Sequence, residues 1–71
     1  MSDDKIIRMA NQIADFFAVQ PGDRAGSIAA HISENWSPPM RAALLAHVVA
    51  GCPGLDPLVI AAAPQIRPVG A

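Results

Sequence analysis

The sequence predicts an all-α fold, a small bundle of three to four short helices followed by an irregular C-terminal tail. Three observations predict it: apolar residues recur with helical spacing in the first half, proline and glycine interrupt the chain at intervals, and no useful length of strand-like alternation occurs. A chain of 71 residues forms one domain at most. We expect a single helical domain over residues 1–63 and an extended or disordered tail over residues 64–71.

The first helix is predicted over about residues 4–19, where the periodic signal is clearest. At about 100° per residue, its apolar side chains cover one half of the helical wheel. The other half carries Arg8, Asn11, Gln12 and Asp15. Pro21 and Gly22 then end the helix, and Asp23 can cap the next one.

Three more helices are predicted from capping and breaking residues. Ser37 can serve as an N-cap with proline at the first helical position, and Asp56 repeats this signature before Pro57. Gly51 can end a helix because glycine tolerates a positive φ. The predicted bounds are about residues 24–35, 38–50 and 57–63.

The apolar stripe of the second helix includes Ile32 and Trp36, and Ser33 is expected to face away from it. Trp36 fits two roles, a core residue that fills the corner before the proline turn or a partly exposed contact with a partner. On the first helix, Phe17 lies nearer the centre of the apolar half. Phe16 is therefore the better candidate for a contact outside the domain.

Charge is distributed unevenly along the chain. Residues 1–37 hold eight charged side chains, whereas residues 38–63 hold only Arg41 and Asp56. The third helix is therefore apolar nearly all round, and such a helix must be covered. It could be the central helix of the bundle, or its alanine face could pack against a second protein. We favour the second, because the fourth helix has no polar face either and one small core cannot readily bury both.

The third helix is expected to have two different sides. Its large residues, Met40, Leu44, Leu45, Val48 and Val49, should lie on one side, and Ala42, Ala43, Ala46 and Ala50 on the other. Arg41 could reach solvent past the end of the helix, or it could pair with a carboxylate or with backbone carbonyls of a partner. The residues predicted to contact a partner are Phe16, Trp36, Met40, Arg41, Ala42, Ala46, His47, Ala50 and Leu58.

Composition argues against several classes of protein. The net charge is −1, with five basic and six acidic residues, so we expect no nucleic-acid partner. The longest uncharged run, residues 42–55, is too short to span a bilayer, and we expect no membrane association. The acidic, amphipathic N-terminus does not resemble a secretory signal. A cytoplasmic location is the simplest expectation, and it suits a chain with one cysteine.

No catalytic, cofactor-binding or metal-binding motif is evident, so no such residue is predicted. His31 and His47 are sixteen positions apart without an obvious third metal ligand, and each is expected to be a packing residue. Cys52 is expected to be a small buried or half-buried residue rather than a reactive thiol. Ser27 and Ser33 have no basic partner that could activate them.

Several short motifs, taken in order, resemble the formate dehydrogenase delta subunit family. They cover about residues 5–60 and are the segments Arg8-Met9-Ala10-Asn11-Gln12-Ile13-Ala14 with Phe16-Phe17, His31-Ile32, Trp36 with Pro38 and Met40-Arg41, Leu45-x-His47-Val48 with Gly51, and Gly54-Leu55-Asp56-Pro57-Leu58-Val59. The motifs occur in order and at plausible spacing. The chain departs from the usual family pattern at Asn35, Pro39 and Cys52.

The resemblance implies an accessory subunit of a cytoplasmic, NAD-dependent enzyme that oxidises formate. In such complexes a large catalytic (alpha) subunit holds a molybdenum or tungsten pterin and iron–sulfur clusters, and other subunits hold FMN and the NAD site. The delta subunit would carry no cofactor of its own, and it would stabilise the complex or assist cofactor insertion. Two alternatives remain open: a transient maturation chaperone for the large subunit, and a helical module that associates with itself.

Overall fold

The computed structural model describes residues 3–51 and 53–68, and within them it confirms the all-α fold class. Four α-helices follow one another in the chain, and a short 3-10 turn comes after the last. The helices are α1 (Asp3–Ala18), α2 (Arg24–Asn35), α3 (Pro38–Val49) and α4 (Pro57–Ala62), and the 3-10 turn is Ala63–Gln65. All four predicted helices are present, with bounds that differ from the predictions by at most one residue. The prediction for Cys52 lies outside the described residues.

Two of the predicted caps, Asp23 and Asp56, form side-chain hydrogen bonds, whereas Ser37 precedes α3 without a side-chain cap bond. The Asp23 carboxylate accepts a hydrogen bond from the Gly26 N–H at 2.9 Å, and Asp56 Oδ1 accepts one from the Leu58 N–H at 2.8 Å. Each bond satisfies an N–H that has no partner within its own helix. After α3, Gly51 has a φ of +70°, a conformation that costs glycine little. Local capping chemistry therefore determines most of the helix bounds.

The core is built mainly from one side of α1, α2 and α4. The helix pair α2 and α4 packs most extensively, and α1 packs against both of them. The buried apolar residues are Ile6, Ala10, Ala14, Ile28, Ala29, Ile32, Trp36, Leu44, Leu55, Val59, Ala62 and Ile66. Short side chains on α1 and α4 let the helices approach closely, and the isoleucines of α2 fill the space between them.

The helix α3 is not the central helix of the bundle. It packs chiefly against α1, with Leu44 fully buried, while its opposite side is exposed to solvent. The more enclosed of the two apolar helices is α4, where Val59 and Ala62 are buried although Ile60 and Ala61 remain exposed. The enclosed alternative for the third helix is therefore wrong for this chain by itself.

Asn11 fastens α1 to the loop between α3 and α4, which corrects its prediction as an ordinary polar-face residue. Its Nδ2 donates to the Gly54 carbonyl at 2.7 Å, and its Oδ1 accepts from the Asp56 N–H at 2.9 Å. One amide side chain thus binds a backbone acceptor and a backbone donor on either side of Leu55, which is buried. This pair of bonds holds the entry to α4 in position.

The C-terminal tail is irregular, as predicted, but its first residues are packed against the domain. Ile66 has extended backbone angles and is only 3% exposed. The Arg67 N–H donates to Ser33 Oγ at 2.8 Å, so Ser33 is buried and bonded rather than facing away from the core. Residues 69–71 lie outside the described residues, and the division into 1–63 and 64–71 stays a prediction.

We expect Asn11→Ala to lower the free energy of unfolding by about 1 kcal/mol, measured by urea denaturation. The substitution leaves the Asp56 N–H and the Gly54 carbonyl without their partner, and the higher helix propensity of alanine offsets part of the loss. Gln12→Ala is the matched control, since Gln12 is an exposed neighbour on the same helix. Equal effects of the two substitutions would contradict a clamping role for Asn11.

Candidate protein-docking surface

One side of α3 and its C-cap residue form an exposed apolar surface, here called the α3 outer face and defined by Ala42, Ala46, Val49 and Ala50. All four residues are exposed, and Val49 is 89% exposed. Their spacing of three and four residues places them on one side of the helix. The predicted contact residues Ala42, Ala46 and Ala50 are therefore brought together, and Val49 joins them.

The position of Val49 differs from the prediction for a simple geometric reason. We expected Val49 on the side of Leu44, but five steps along a helix rotate a residue by about 140°. Because Leu44 points directly into the core, Val49 must point away from it. Ala43, which was predicted on the side of Ala42 and Ala46, is instead half-buried and packs against the core. The outer face is therefore wider and more apolar than alanine alone would make it.

The α3 outer face also lacks charge, because the one charged side chain of α3 turns inward. Arg41 is 8% exposed, its Nη1 donates to the Trp36 carbonyl at 2.9 Å, and its Nε donates to the Arg67 carbonyl at 3.3 Å. Arg41 thus neither reaches solvent past the helix end nor offers its guanidinium freely to a partner. Its role in this structure is to join α3 to the end of α2 and to the tail.

Trp36 is a core residue at the corner between α2 and α3. It is 6% exposed, and its backbone N–H donates to the Ile32 carbonyl at 3.0 Å, which completes the last turn of α2. The partly exposed alternative is therefore wrong for the chain by itself, because the corner closes over the indole ring. Little of the Trp36 side chain is left to contact another protein.

Phe16 borders a second apolar feature, a groove between α1 and α2. The groove has a volume of about 280 Å³ and is lined by Gln12, Ile13, Phe16, Phe17 and His31. The Phe16 and Phe17 rings meet edge to face at 5.0 Å between centroids, and Phe17 stands 6.1 Å from the His31 ring. As expected, Phe17 is half-buried and Phe16 is 61% exposed. Phe17 also packs against the core cluster, and the edge-to-face contacts add to that packing.

The other predicted contact residues lie elsewhere on the domain. Met40 is half-buried and lines a hollow of about 350 Å³ with Ile6, Ser37, Pro39 and Ala43. His47 is half-buried in the last turn of α3, and Leu58 is half-buried on α4 against the core. The nine predicted residues therefore do not form one surface. Whether any of them contacts a partner stays a prediction.

Within residues 3–51 and 53–68, no group of three or more His, Cys, Asp or Glu side chains could hold a metal ion. The whole sequence contains one cysteine, whereas an iron–sulfur cluster commonly needs four thiolate ligands. None of the helices in the described part of the chain is long and apolar enough to cross a membrane.

The described residues thus form a small all-α domain that presents an uncharged apolar face on one helix. The chain belongs to the family of the NADH-dependent formate dehydrogenase delta subunit FdsD, whose family model matches residues 5–63. The match includes all four helices except the first two residues of α1, and it confirms the family resemblance seen in the sequence motifs. No curated protein matches the chain. The family name describes a subunit of a multi-subunit formate dehydrogenase.

We expect Val49→Gln to change the free energy of unfolding by no more than about 0.5 kcal/mol, because Val49 makes little contact with the core. Leu44→Ala, on the opposite side of the same helix, should lower it by about 2 to 5 kcal/mol. Urea denaturation followed by circular dichroism measures both. A loss above about 1 kcal/mol for Val49→Gln would mean that the outer face is covered within the chain itself.

Proposed function

We propose that this chain is a non-catalytic structural and assembly subunit of a cytoplasmic, NAD-dependent formate dehydrogenase. In this proposal it docks on the large catalytic subunit, and it supports the stability of the complex or the insertion of the cofactor. The observation that carries the proposal is the family match over residues 5–63, which names a delta subunit of this enzyme.

The absence of recognisable chemistry in the sequence supports an accessory role. A formate-oxidising centre would need a molybdenum or tungsten pterin, and electron transfer to NAD would need iron–sulfur clusters and FMN. One cysteine and two histidines cannot hold such a set of groups. In the proposed complex these cofactors therefore belong to the large subunit and to the flavin and iron–sulfur subunits.

The α3 outer face is the surface through which docking is proposed. It has no charged side chain to desolvate, and alanine lets another backbone approach closely, so most of the buried area would be apolar contact. A larger partner can provide the cover that a domain of 71 residues does not provide for itself. Arg41 and Trp36 would contribute indirectly, because they fix the angle at which α3 leaves α2.

We expect Ala46→Glu to remove the chain from the purified complex while its helical content stays intact. The substitution places a charge at the centre of the proposed contact, where burial of an unpaired carboxylate is costly. Co-purification with the large subunit, quantified on stained gels, measures the effect.

The matched control for this experiment is Ala30→Glu, an exposed position on α2 away from the α3 outer face. This variant should co-purify in the same amount as the unmodified chain. Full retention of Ala46→Glu would exclude the α3 outer face as the contact. Loss of both variants would point to a general effect of added negative charge.

We also expect the complex purified without this chain to contain less intact enzyme and to have lower formate-oxidising activity. Metal content per large subunit separates the two supporting roles, since it falls if cofactor insertion fails and stays constant if only stability is lost. The chain should be stoichiometric in the active enzyme. Its absence from active enzyme, with metal-poor large subunit in the deletion strain, would favour a transient chaperone instead.

A further inference from the structure

The tail is held against the corner between α2 and α3 by contacts to its backbone. The N–H of Arg67 donates to Ser33 Oγ at 2.8 Å, and the carbonyl of the same residue accepts from Arg41 Nε at 3.3 Å. Directly before it, the Ile66 side chain is buried in the core, while the Arg67 residue itself is exposed. The domain therefore binds the apolar side chain of Ile66 and the backbone N–H and carbonyl of Arg67.

This set of contacts has the form of extended-peptide recognition. In such sites a pocket takes one side chain, and hydrogen bonds to the backbone fix the direction of the peptide. Ser33 and Arg41 lie within the family-matched residues 5–63, whereas Ile66 and Arg67 lie beyond them. The site formed by Ser33 and Arg41, here called the seat, thus lies within the family-matched residues. The segment that occupies the seat in this chain comes from outside them.

The charge of the seat is not matched by its present occupant. In the part of the chain that the structure describes, the buried Arg41 guanidinium meets two neutral carbonyl oxygens, and the bond to Arg67 is the longer one. A carboxylate in the place of the Arg67 carbonyl would form a shorter, charge-assisted bond. A peptide that ended at this residue would present its terminal carboxylate at that position.

We propose that residues 66–68 act as a strap on a peptide-binding seat formed by Ser33 and Arg41, next to the corner where Trp36 is buried, and that the seat accepts the C-terminal end of a partner chain. The partner's penultimate apolar side chain would replace Ile66, and its terminal carboxylate would face Arg41. The inference concerns residues other than the α3 outer face and does not rest on the proposed docking there. Opening of the strap would be a local event that leaves α1 to α4 folded.

Hydrogen exchange on the unmodified chain tests whether the strap opens by itself. The amide of Arg67 should exchange at least about tenfold faster than the amides of Ile32 and Leu44 in the core, because its opening does not require global unfolding. If the Arg67 amide exchanges only as slowly as these core amides, the segment is an inseparable part of the core and the proposal is overturned.

Peptide binding to the full-length Ile66→Asp variant tests the seat. A buried aspartate should release the strap, and the emission of Trp36, the single tryptophan, should shift to longer wavelength while the helical circular dichroism is retained. The probe is the synthetic peptide N-acetyl-Ile-Arg, the sequence of residues 66–67, with a free C-terminal carboxylate. It should bind saturably and reverse the shift.

Two comparisons make the result specific. The same peptide with an amidated C-terminus should bind about fivefold more weakly, and Arg41→Gln in the Ile66→Asp background should remove that difference. Gln65→Asp, at an exposed neighbouring position, should leave the Trp36 emission unchanged. Global unfolding of Ile66→Asp, absence of peptide binding, or equal affinity for the acid and the amide would each overturn the proposal.

Discussion

The packing of α2 against both α1 and α4 is the constraint on which the other features of this domain depend. The isoleucines of α2 are among the largest fully buried side chains, and alanines on α1 and α4 make room for them. Once α4 occupies this place, α3 can reach the core only from the side of α1. The chain thus packs its shortest helix against two others and leaves one side of a longer helix, the α3 outer face, in contact with solvent.

Polar groups in this domain work mainly as ties between elements that lie far apart in the chain. Asn11 joins α1 to the loop before α4, and Arg41 and Ser33 join the α2–α3 corner to the tail. Each tie pairs a side chain with backbone groups. It gives hydrogen-bond partners to polar atoms that the packing of helices would otherwise leave without any. The inward turn of Arg41 has a second consequence, because it removes the one charge that α3 could have shown to solvent.

Much of the secondary structure could be predicted from the sequence because its signals are local. Asp23 and Asp56 cap helices through bonds to residues two or three positions away, and Gly51 ends α3 through its own backbone conformation. The family could be recognised as well, since its motifs keep their order along the chain. The candidate surface was predicted in part: the three alanines of α3 do share an exposed side, whereas Val49 was placed on the wrong side and Trp36 and Arg41 are buried.

The sequence by itself determined the four helices, the caps Asp23 and Asp56, the charge-poor second half and the family to which the chain belongs. These properties depend on residues close together in the chain, or on their order. Only the tertiary structure decided that α4 packs against both α1 and α2 whereas α3 packs chiefly against α1. It also decided that Asn11 reaches a loop 43 to 45 positions away and that the tail is held by Ser33 and Arg41. The physical reason is that α3 and α4 have apolar residues on more than one side, so periodicity alone cannot show which side of them the other helices will cover.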